Sequence, residues 1–135
     1  MIRSDPSGFE CETLGRIQIS DDALYAREIL KKILVDTPHQ VVAEASNGDE
    51  AIEQYRRVKP DLVLLDIVMP PGEKAIDGMA ALKKILEEDP KANVVICSAL
   101  EQDVLVDEAL KLGAKYFLPK PITPEKVLEV LSQYC

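Results

Sequence analysis

The most constraining feature of this sequence is a short, uninterrupted apolar run that ends in an aspartate. The run, Leu62-Val63-Leu64-Leu65, is too short for an ordinary helix and shows no polar alternation. Such a segment is typical of a central strand that is buried on both faces, as in a parallel sheet covered by helices. Because Asp66 follows the run directly and Pro70 comes soon after, we expect Asp66 at the carboxyl edge of such a sheet.

Strand-like and helix-like segments alternate along the rest of the chain. The expected strands cover residues 14–20, 41–45, 61–65, 93–97 and 115–118, and the expected helices cover 22–35, 49–58, 78–88, 102–112 and 124 to the end. Asp77 and Thr123-Pro124 supply N-terminal caps for two of these helices, and Leu24 and Leu34 are expected on the core face of the first. This pattern predicts an α/β fold with a parallel sheet and helices on both of its faces.

Length and charge limit the classes of function. The chain has 135 residues, which suits one domain over residues 14–135 preceded by a polar, flexible arm over residues 1–13. Its 16 basic and 24 acidic residues give a net charge of −8. Nucleic acid and anionic membranes attract basic surfaces, so neither is an expected direct partner.

Cysteine usage and hydropathy indicate the compartment. No apolar stretch approaches the roughly 20 residues that span a bilayer, and no secretory signal is visible at the N-terminus. The three cysteines are widely spaced and form no C-x-x-C pair, so no zinc site or redox dithiol is expected. A reducing cytoplasm is therefore the expected location.

Polar residues follow the ends of four expected strands. They are Asp21 and Asp22, Asp66, Ser98, and Lys120. In open parallel sheets, ligands bind beyond the carboxyl ends of the strands, so these side chains are expected to share one site. Converging carboxylates repel each other unless a hard cation such as Mg²⁺ lies among them.

This set of residues suits phosphoryl chemistry. An aspartate can attack phosphorus as a nucleophile, a lysine can neutralise phosphoryl oxygens, and a hydroxyl can donate to them. Each residue also has a simpler interpretation: Asp21 and Asp22 could cap the first helix, and Asp66 could be a turn residue. Their joint placement at one sheet edge favours the shared site.

At these positions the chain resembles the receiver domain of two-component response regulators, over about residues 14–133. The matching pieces are Ser20-Asp21-Asp22, Asp66-Ile67-Val68-Met69-Pro70, Asp77-Gly78, Ser98-Ala99 and Lys120-Pro121. Residues 44–51 and 97–99 look most like chemotaxis-type receivers. The resemblance implies a flavodoxin-like, doubly wound (βα)5 fold with strand order 2-1-3-4-5.

The resemblance also implies a role for each site residue. Asp66 would be the phosphoacceptor; Asp21, Asp22, Asp66 and the backbone carbonyl of Val68 would bind Mg²⁺ or Mn²⁺. Lys120 and Ser98 would contact the phosphoryl group, and Ser98 and Phe117 would form the conformational switch. Catalysis would be limited to the protein's own phosphorylation and slow dephosphorylation.

Two partners follow from the same resemblance. A sensor histidine kinase would donate the phosphoryl group, and a downstream target protein would bind the face formed by the fourth helix, fifth strand and fifth helix. The chain would act as a free chemotaxis or phosphorelay regulator. Alternatives are the receiver of a longer transcriptional or enzymatic regulator, and a degenerate receiver used only for docking. An aspartate-nucleophile phosphohydrolase is disfavoured, because Val68 stands where such enzymes carry a second acid.

The chain departs from the family pattern in the loop after Asp66. The Asp-Gly pair usually lies three residues after the proline, whereas here Asp77 lies seven after Pro70, so residues 71–76 lengthen the loop by four. Val68 and Leu100 flank the expected path of attacking water. Both are apolar and cannot orient a water molecule, which predicts slow loss of the phosphoryl group.

Overall fold

The structure is a computed structural model that describes residues 15–70, 72–74, 76–99 and 103–134. The expected arm and the start of the first expected strand lie outside these residues. Strands and helices alternate: β1 (Arg16–Ser20), α1 (Leu24–Leu34), β2 (Gln40–Ala45), α2 (Gly48–Val58), β3 (Leu62–Asp66), α3 (Gly78–Glu88), β4 (Val94–Ser98), α4 (Asp103–Leu112), β5 (Tyr116–Pro119) and α5 (Pro124–Tyr134).

The strands form one parallel sheet in the order β2-β1-β3-β4-β5. This confirms the expected α/β class, the doubly wound arrangement and the strand order. β3 lies at the centre, between β1 and β4, and all five of its residues are buried. Its apolar run is continuous because helices cover the sheet on both faces.

Each face of the sheet has its own apolar core. Alternate residues of β3 belong to different cores. Val63 and Leu65 pack toward α2, α3 and α4, whereas Leu62 and Leu64 pack toward α1 and α5. The two-residue repeat of a strand causes this separation. Successive side chains fix the sheet from both sides, so the backbone at the end of β3 is held firmly.

Helix starts follow the expected caps in α3 and α5, and α2 has a side-chain cap as well. The side chain of Asp77 accepts from the amide of Ala80 at 2.9 Å, and that of Asn47 accepts from Glu50 at 2.9 Å. The capping interpretation of Asp21 and Asp22 is wrong, because α1 begins after Ala23 and has no side-chain cap.

The core face of α1 also differs from the sequence expectation. Leu34 is buried as expected, but Leu24 is 60% exposed and Leu30 is buried instead. The helix starts at Leu24, two residues later than its apolar spacing indicated, and its buried residues are Leu30 and Leu34. Apolar residues at helix ends are therefore poor guides to the core.

Candidate functional site

The carboxyl edge of the sheet collects the polar residues that the sequence singled out. Asp66 and Ser98 are the last residues of β3 and β4, and Asp21 and Lys120 directly follow β1 and β5. The strands are parallel and adjacent, so their ends meet at one edge. The structure thus brings together all of the residues that were expected to share a site.

Three carboxylates form the centre of this edge. Oxygen atoms of Asp21, Asp22 and Asp66 all lie within 4.8 Å of one another. Asp21 and Asp66 are buried, with 4% and 3% exposure, while Asp22 is exposed. Hard divalent cations prefer carboxylate oxygens and retain several waters, and one exposed member leaves such a cluster open to solvent. The donor set therefore fits a magnesium-like ion.

Backbone contacts fix the turn that carries Asp21. Its amide donates to the carbonyl of Ala45 at 2.9 Å, and its carboxylate accepts from the amide of Ala23 at 2.9 Å. Arg27 donates to the Asp21 carbonyl at 2.7 Å and also to the Glu44 carboxylate at 3.0 Å. Sequence reasoning missed Arg27, because Glu44 lies on another element, 17 residues away.

The start of the loop after β3 is ordered by its own strand. The Asp66 carboxylate accepts from the amide of Val68 at 3.0 Å, and the Asp66 carbonyl accepts from Met69 at 3.3 Å. Ile67 and Met69 are buried, whereas Val68 between them is 47% exposed. The tight turn therefore holds the Val68 amide against the Asp66 carboxylate and leaves the Val68 side chain open to solvent.

Lys120 is shared between the two buried carboxylates. Its ammonium lies 3.3 Å from Asp66 Oδ2 and 3.4 Å from Asp21 Oδ2, and its amide donates to the Ser98 carbonyl at 2.9 Å. The peptide bond to Pro121 is cis. Burial is the largest single effect on the pKa of Lys120 and lowers it, but the attraction of Asp66 and Asp21 together outweighs burial, so the pKa is raised.

Asp66 is held in an unfavourable electrostatic setting. Burial, the largest effect, raises its pKa above the ordinary value, and the nearby charge of Asp21 adds to the rise. The Val68 amide and the Lys120 ammonium act against this effect without cancelling it. The Lys120 ammonium thus leaves Asp66 under-neutralised, and an additional cation would relieve it.

The expected switch residues border the site. Ser98 is completely buried, and its hydroxyl donates to the Ala99 carbonyl at 3.2 Å. Phe117 is half-buried and packs against the core under α2, α3 and α4. Leu100, expected beside the water path, lies outside the described residues. Cys97 points into the α1 and α5 core, where burial raises the pKa of its thiol to about 12 and makes it unreactive at neutral pH.

The described part of the lengthened loop contacts α2 rather than the carboxylate cluster. The Asp49 carboxylate accepts from the amides of Ile76 at 3.1 Å, Gly72 at 3.2 Å and Lys74. Sequence reasoning missed Asp49, since nothing local distinguishes it from an ordinary first-turn acid.

Comparison with known proteins points to a single family. A model of the family described as response regulator receiver domain matches residues 17–132. The chain is 43% identical to chemotaxis protein CheY of Thermotoga maritima and 46% identical to that of Listeria monocytogenes. Each alignment covers 87% of this chain and 95% or 96% of the relative.

Solved structures give the same result. A chain in the crystal structure of the CheX–CheY–BeF3–Mg²⁺ complex from Borrelia burgdorferi superposes with a TM-score of 0.83 at 33% identity, covering 98% of this chain and 99% of that one. The response regulator domain of Thermotoga maritima CheB gives a TM-score of 0.79 at 32% identity, with 90% and 96% covered. In the described part of the chain, no helix is long and apolar enough to cross a membrane.

Proposed function

We propose that Asp66 accepts the phosphoryl group in this chain, which belongs to the response regulator receiver domain family. The chain is a phosphorylation-dependent signalling switch of the chemotaxis type. The observation that carries this proposal is the position of Asp66. It is a buried carboxylate at the end of the central strand, 3.3 Å from a lysine ammonium and within one cluster with two further acids.

The reaction is a transfer between two nucleophiles. An oxygen of the Asp66 carboxylate attacks phosphorus and forms a new P–O bond, while the P–N bond to a phosphohistidine of the donor breaks and the nitrogen keeps the electron pair. The product is an acyl phosphate on Asp66. Because there is little covalent work beyond this exchange, the remaining residues act by positioning and by neutralising charge.

Receiver domains bind Mg²⁺ at an acidic pocket, and the carboxylate cluster fits such an ion in oxygen donors and in charge. We assign Asp21, Asp22, Asp66 and the Val68 carbonyl as its ligands, with Mn²⁺ as a substitute. When bound, the ion supplies positive charge to the phosphoryl oxygens. The under-neutralised state of Asp66 supports this assignment.

Lys120 and Ser98 complete the phosphoryl site in this proposal. The Lys120 ammonium already lies against the carboxylate that would carry the phosphoryl group. It can therefore pair with the phosphoryl oxygens with little movement. The Ser98 hydroxyl can exchange its acceptor, the Ala99 carbonyl, for a phosphoryl oxygen. That exchange would draw the end of β4 toward the site.

Movement at Ser98 would be transmitted to the surface next to β5. Phe117 pairs with Ile96 in the sheet and is only half-buried, so it can turn inward when the end of β4 shifts. The outer surface of α4, β5 and α5 exposes Val104 at 78%, Leu128 at 43% and Tyr116 at 37%. We assign this surface to the downstream target protein.

The phosphoryl donor in this proposal is a sensor histidine kinase, and the exchange takes place in the cytoplasm. Receiver domains are signalling proteins rather than enzymes. The only reactions assigned to this chain are therefore its own phosphorylation and the slow hydrolysis that follows. Neither nucleic acid nor membrane insertion has a part in it.

The central test is the intact mass of the protein after incubation with acetyl phosphate, with and without Mg²⁺. We expect a gain of one phosphoryl group that requires Mg²⁺ and is lost in Asp66→Asn. Asp61→Asn is the matched control, since it changes an aspartate at the opposite end of β3 and should be phosphorylated normally. Replacing acetyl phosphate with a phosphorylated histidine kinase tests the donor.

A phosphoryl group that still attaches in Asp66→Asn would contradict the assignment of the acceptor. No gain in the wild type under any condition would favour a degenerate receiver that serves only for docking.

The lifetime of the phosphorylated state tests the hydrolysis proposal. Val68 presents an apolar side chain beside the site, so we expect a half-life of minutes or longer in Mg²⁺ buffer. Val68→Asn should shorten it by roughly tenfold or more, because the amide can orient an attacking water. The measurement is the decay of phosphorylated mass after removal of the donor, and a wild-type half-life of seconds would contradict the proposal.

A further inference from the structure

One carboxylate in the first turn of α2 accepts several hydrogen bonds from the described part of the lengthened β3–α3 loop. The Asp49 carboxylate accepts from the backbone amides of Gly72, Lys74 and Ile76. The Gly72 nitrogen lies 3.2 Å and the Ile76 nitrogen 3.1 Å from Asp49 Oδ1. Asp49 is only 8% exposed. Hydrogen bonds from backbone amides to a carboxylate are charge-assisted and stronger than those between neutral groups.

The backbone of the loop also lies directly on α2. The Gly48 amide donates to the Pro70 carbonyl at 3.2 Å. A Cβ atom at Gly48 would meet the carbonyl oxygens of Ile76 at 1.9 Å and Asp77 at 2.5 Å, so only glycine allows this approach. The loop is thus held at Pro70 by one amide and farther along by Asp49.

Asp49 is suited to remain charged. Burial, the largest single effect, raises its pKa, but the three amide bonds together outweigh burial and lower the pKa below the ordinary value. Its position in the first turn of α2 adds the favourable helix dipole. The carboxylate therefore accepts these bonds throughout the neutral range.

The anchored segment is continuous with the candidate metal site. Val68 lies two residues before Pro70, and the intervening Met69 is buried and accepts from the Gly78 amide at 3.0 Å. A loop with four additional residues samples more conformations unless something orders it. The contact of Met69 with the start of α3 and the contacts of Pro70 and Asp49 with α2 order the described part of the loop.

We infer that Asp49 is a positioning residue, which anchors the inserted segment on α2 and thereby fixes the Val68 carbonyl for metal binding. The inference rests on the proposed function, because it takes the Val68 carbonyl as a ligand. It adds a residue of α2 that touches neither metal nor phosphoryl group.

Amide hydrogen exchange tests the anchor itself. We expect the Gly72, Lys74 and Ile76 amides to be protected in the wild type and to exchange at least tenfold faster in Asp49→Ala, because each loses its acceptor. Glu53→Ala is the matched control. It removes an acid of the same helix that meets the described part of the loop through an exposed ion pair with the Lys74 ammonium at 3.4 Å.

Calorimetric titration with Mg²⁺ tests the positioning role. Asp49→Ala should bind Mg²⁺ roughly tenfold more weakly, the size expected when a group that orients a metal ligand is removed. The Mg²⁺ affinity of Glu53→Ala should stay within about twofold of that of the wild type, because the loss of an exposed ion pair has a small effect.

A shortened loop separates this role from a general effect on α2. Deleting residues 72–75 places Asp77 three residues after Pro70, the spacing usual in the family, and removes two of the three donors. In that background Asp49→Ala should leave the Mg²⁺ affinity almost unchanged, so the two changes should be strongly non-additive.

The outcomes are distinguishable. An equal loss of affinity in both backgrounds would overturn the role of the loop, and full affinity in Asp49→Ala would overturn the positioning role while the proposed function stands. A wild type that does not bind Mg²⁺ would overturn the proposed function and the positioning role with it. If the shortened chain does not fold, the exchange rates and affinities of the full-length variants still decide.

Discussion

The two ends of β3 carry the same residue type in opposite situations. Asp61 precedes the strand, and its carboxylate accepts from the Arg16 amide at 2.9 Å, while its carbonyl accepts from the Asn93 side chain at 3.2 Å. The Arg16 guanidinium in turn donates to the Val58 and Lys59 carbonyls at 2.7 and 2.8 Å, at the end of α2. Each of these acceptors at the amino end of β3 thus has its own hydrogen-bond donor.

At the other end of the strand, charges are not matched in this way. Asp66 is 3% exposed and shares one ammonium with Asp21, at separations that are long for charge-assisted hydrogen bonds. Burial raises the pKa of Asp66 despite that ammonium. In the proposed function this end gives up stability for a site that binds a metal ion and a phosphoryl group, whereas the amino end serves the fold.

The largest expected effect comes from removing the ammonium at the functional end. Lys120→Met should slow phosphorylation by acetyl phosphate about 100-fold, as for loss of a charged group that stabilises a transition state. It should also tighten Mg²⁺ binding, because the ammonium and the metal ion are attracted to the same carboxylates. Phosphorylation kinetics and calorimetry measure the two effects, and weaker Mg²⁺ binding would contradict this account of the site.

A comparable cationic change at the amino end should affect only stability. Arg16→Met removes both bonds from the guanidinium to the end of α2, and we expect it to lower the free energy of unfolding by about 2 kcal/mol. Urea denaturation measures this loss. Phosphorylation rate and Mg²⁺ affinity should match those of the wild type, so a substantial fall in either would break the division between the two ends.

The smallest expected effect is a gain in stability at the functional end. Without metal ions, Asp66→Asn should raise the free energy of unfolding by about 1 kcal/mol at neutral pH, because it removes a buried charge. Stabilising single substitutions are typically of this size. Unfolding is followed in buffer that contains a chelator. A loss of stability at neutral pH would show that the Lys120 ammonium compensates Asp66 fully.

The pH dependence of this gain has a definite sign. The pKa of Asp66 is raised in the folded protein, so in the window above its ordinary pKa the folded state binds more protons than the unfolded state. Stability from this group is therefore complete below the ordinary aspartate pKa and is lost as the pH rises through the raised value. The advantage of the variant should vanish at acidic pH and grow toward neutrality.

Local sequence patterns predicted most of the scaffold and the members of the site. The apolar run before Asp66 identified the central strand, and the caps at Asp77 and Thr123 identified two helix starts, since these signals act over a few residues. The start of α1 was predicted two residues too early. Its apolar Leu24 extends the helical pattern, but the residue is exposed in the structure.

The residues that were missed act between elements. Arg27 holds the Asp21 carbonyl and reaches Glu44 on β2, and Asp49 gathers amides from a loop more than 20 residues away. Neither side chain differs locally from an ordinary helix-surface charge. Only the packing of α1 and α2 beside the sheet gives these charges their partners.

The sequence by itself determined the parallel sheet and the edge at which its acids, hydroxyl and lysine would meet, because strand burial and helix caps are encoded in neighbouring residues. Tertiary structure alone decided that two buried carboxylates share one ammonium and that the lengthened loop rests on α2. Both depend on distances between segments far apart in the chain, which hydrophobic pattern and turn chemistry do not specify.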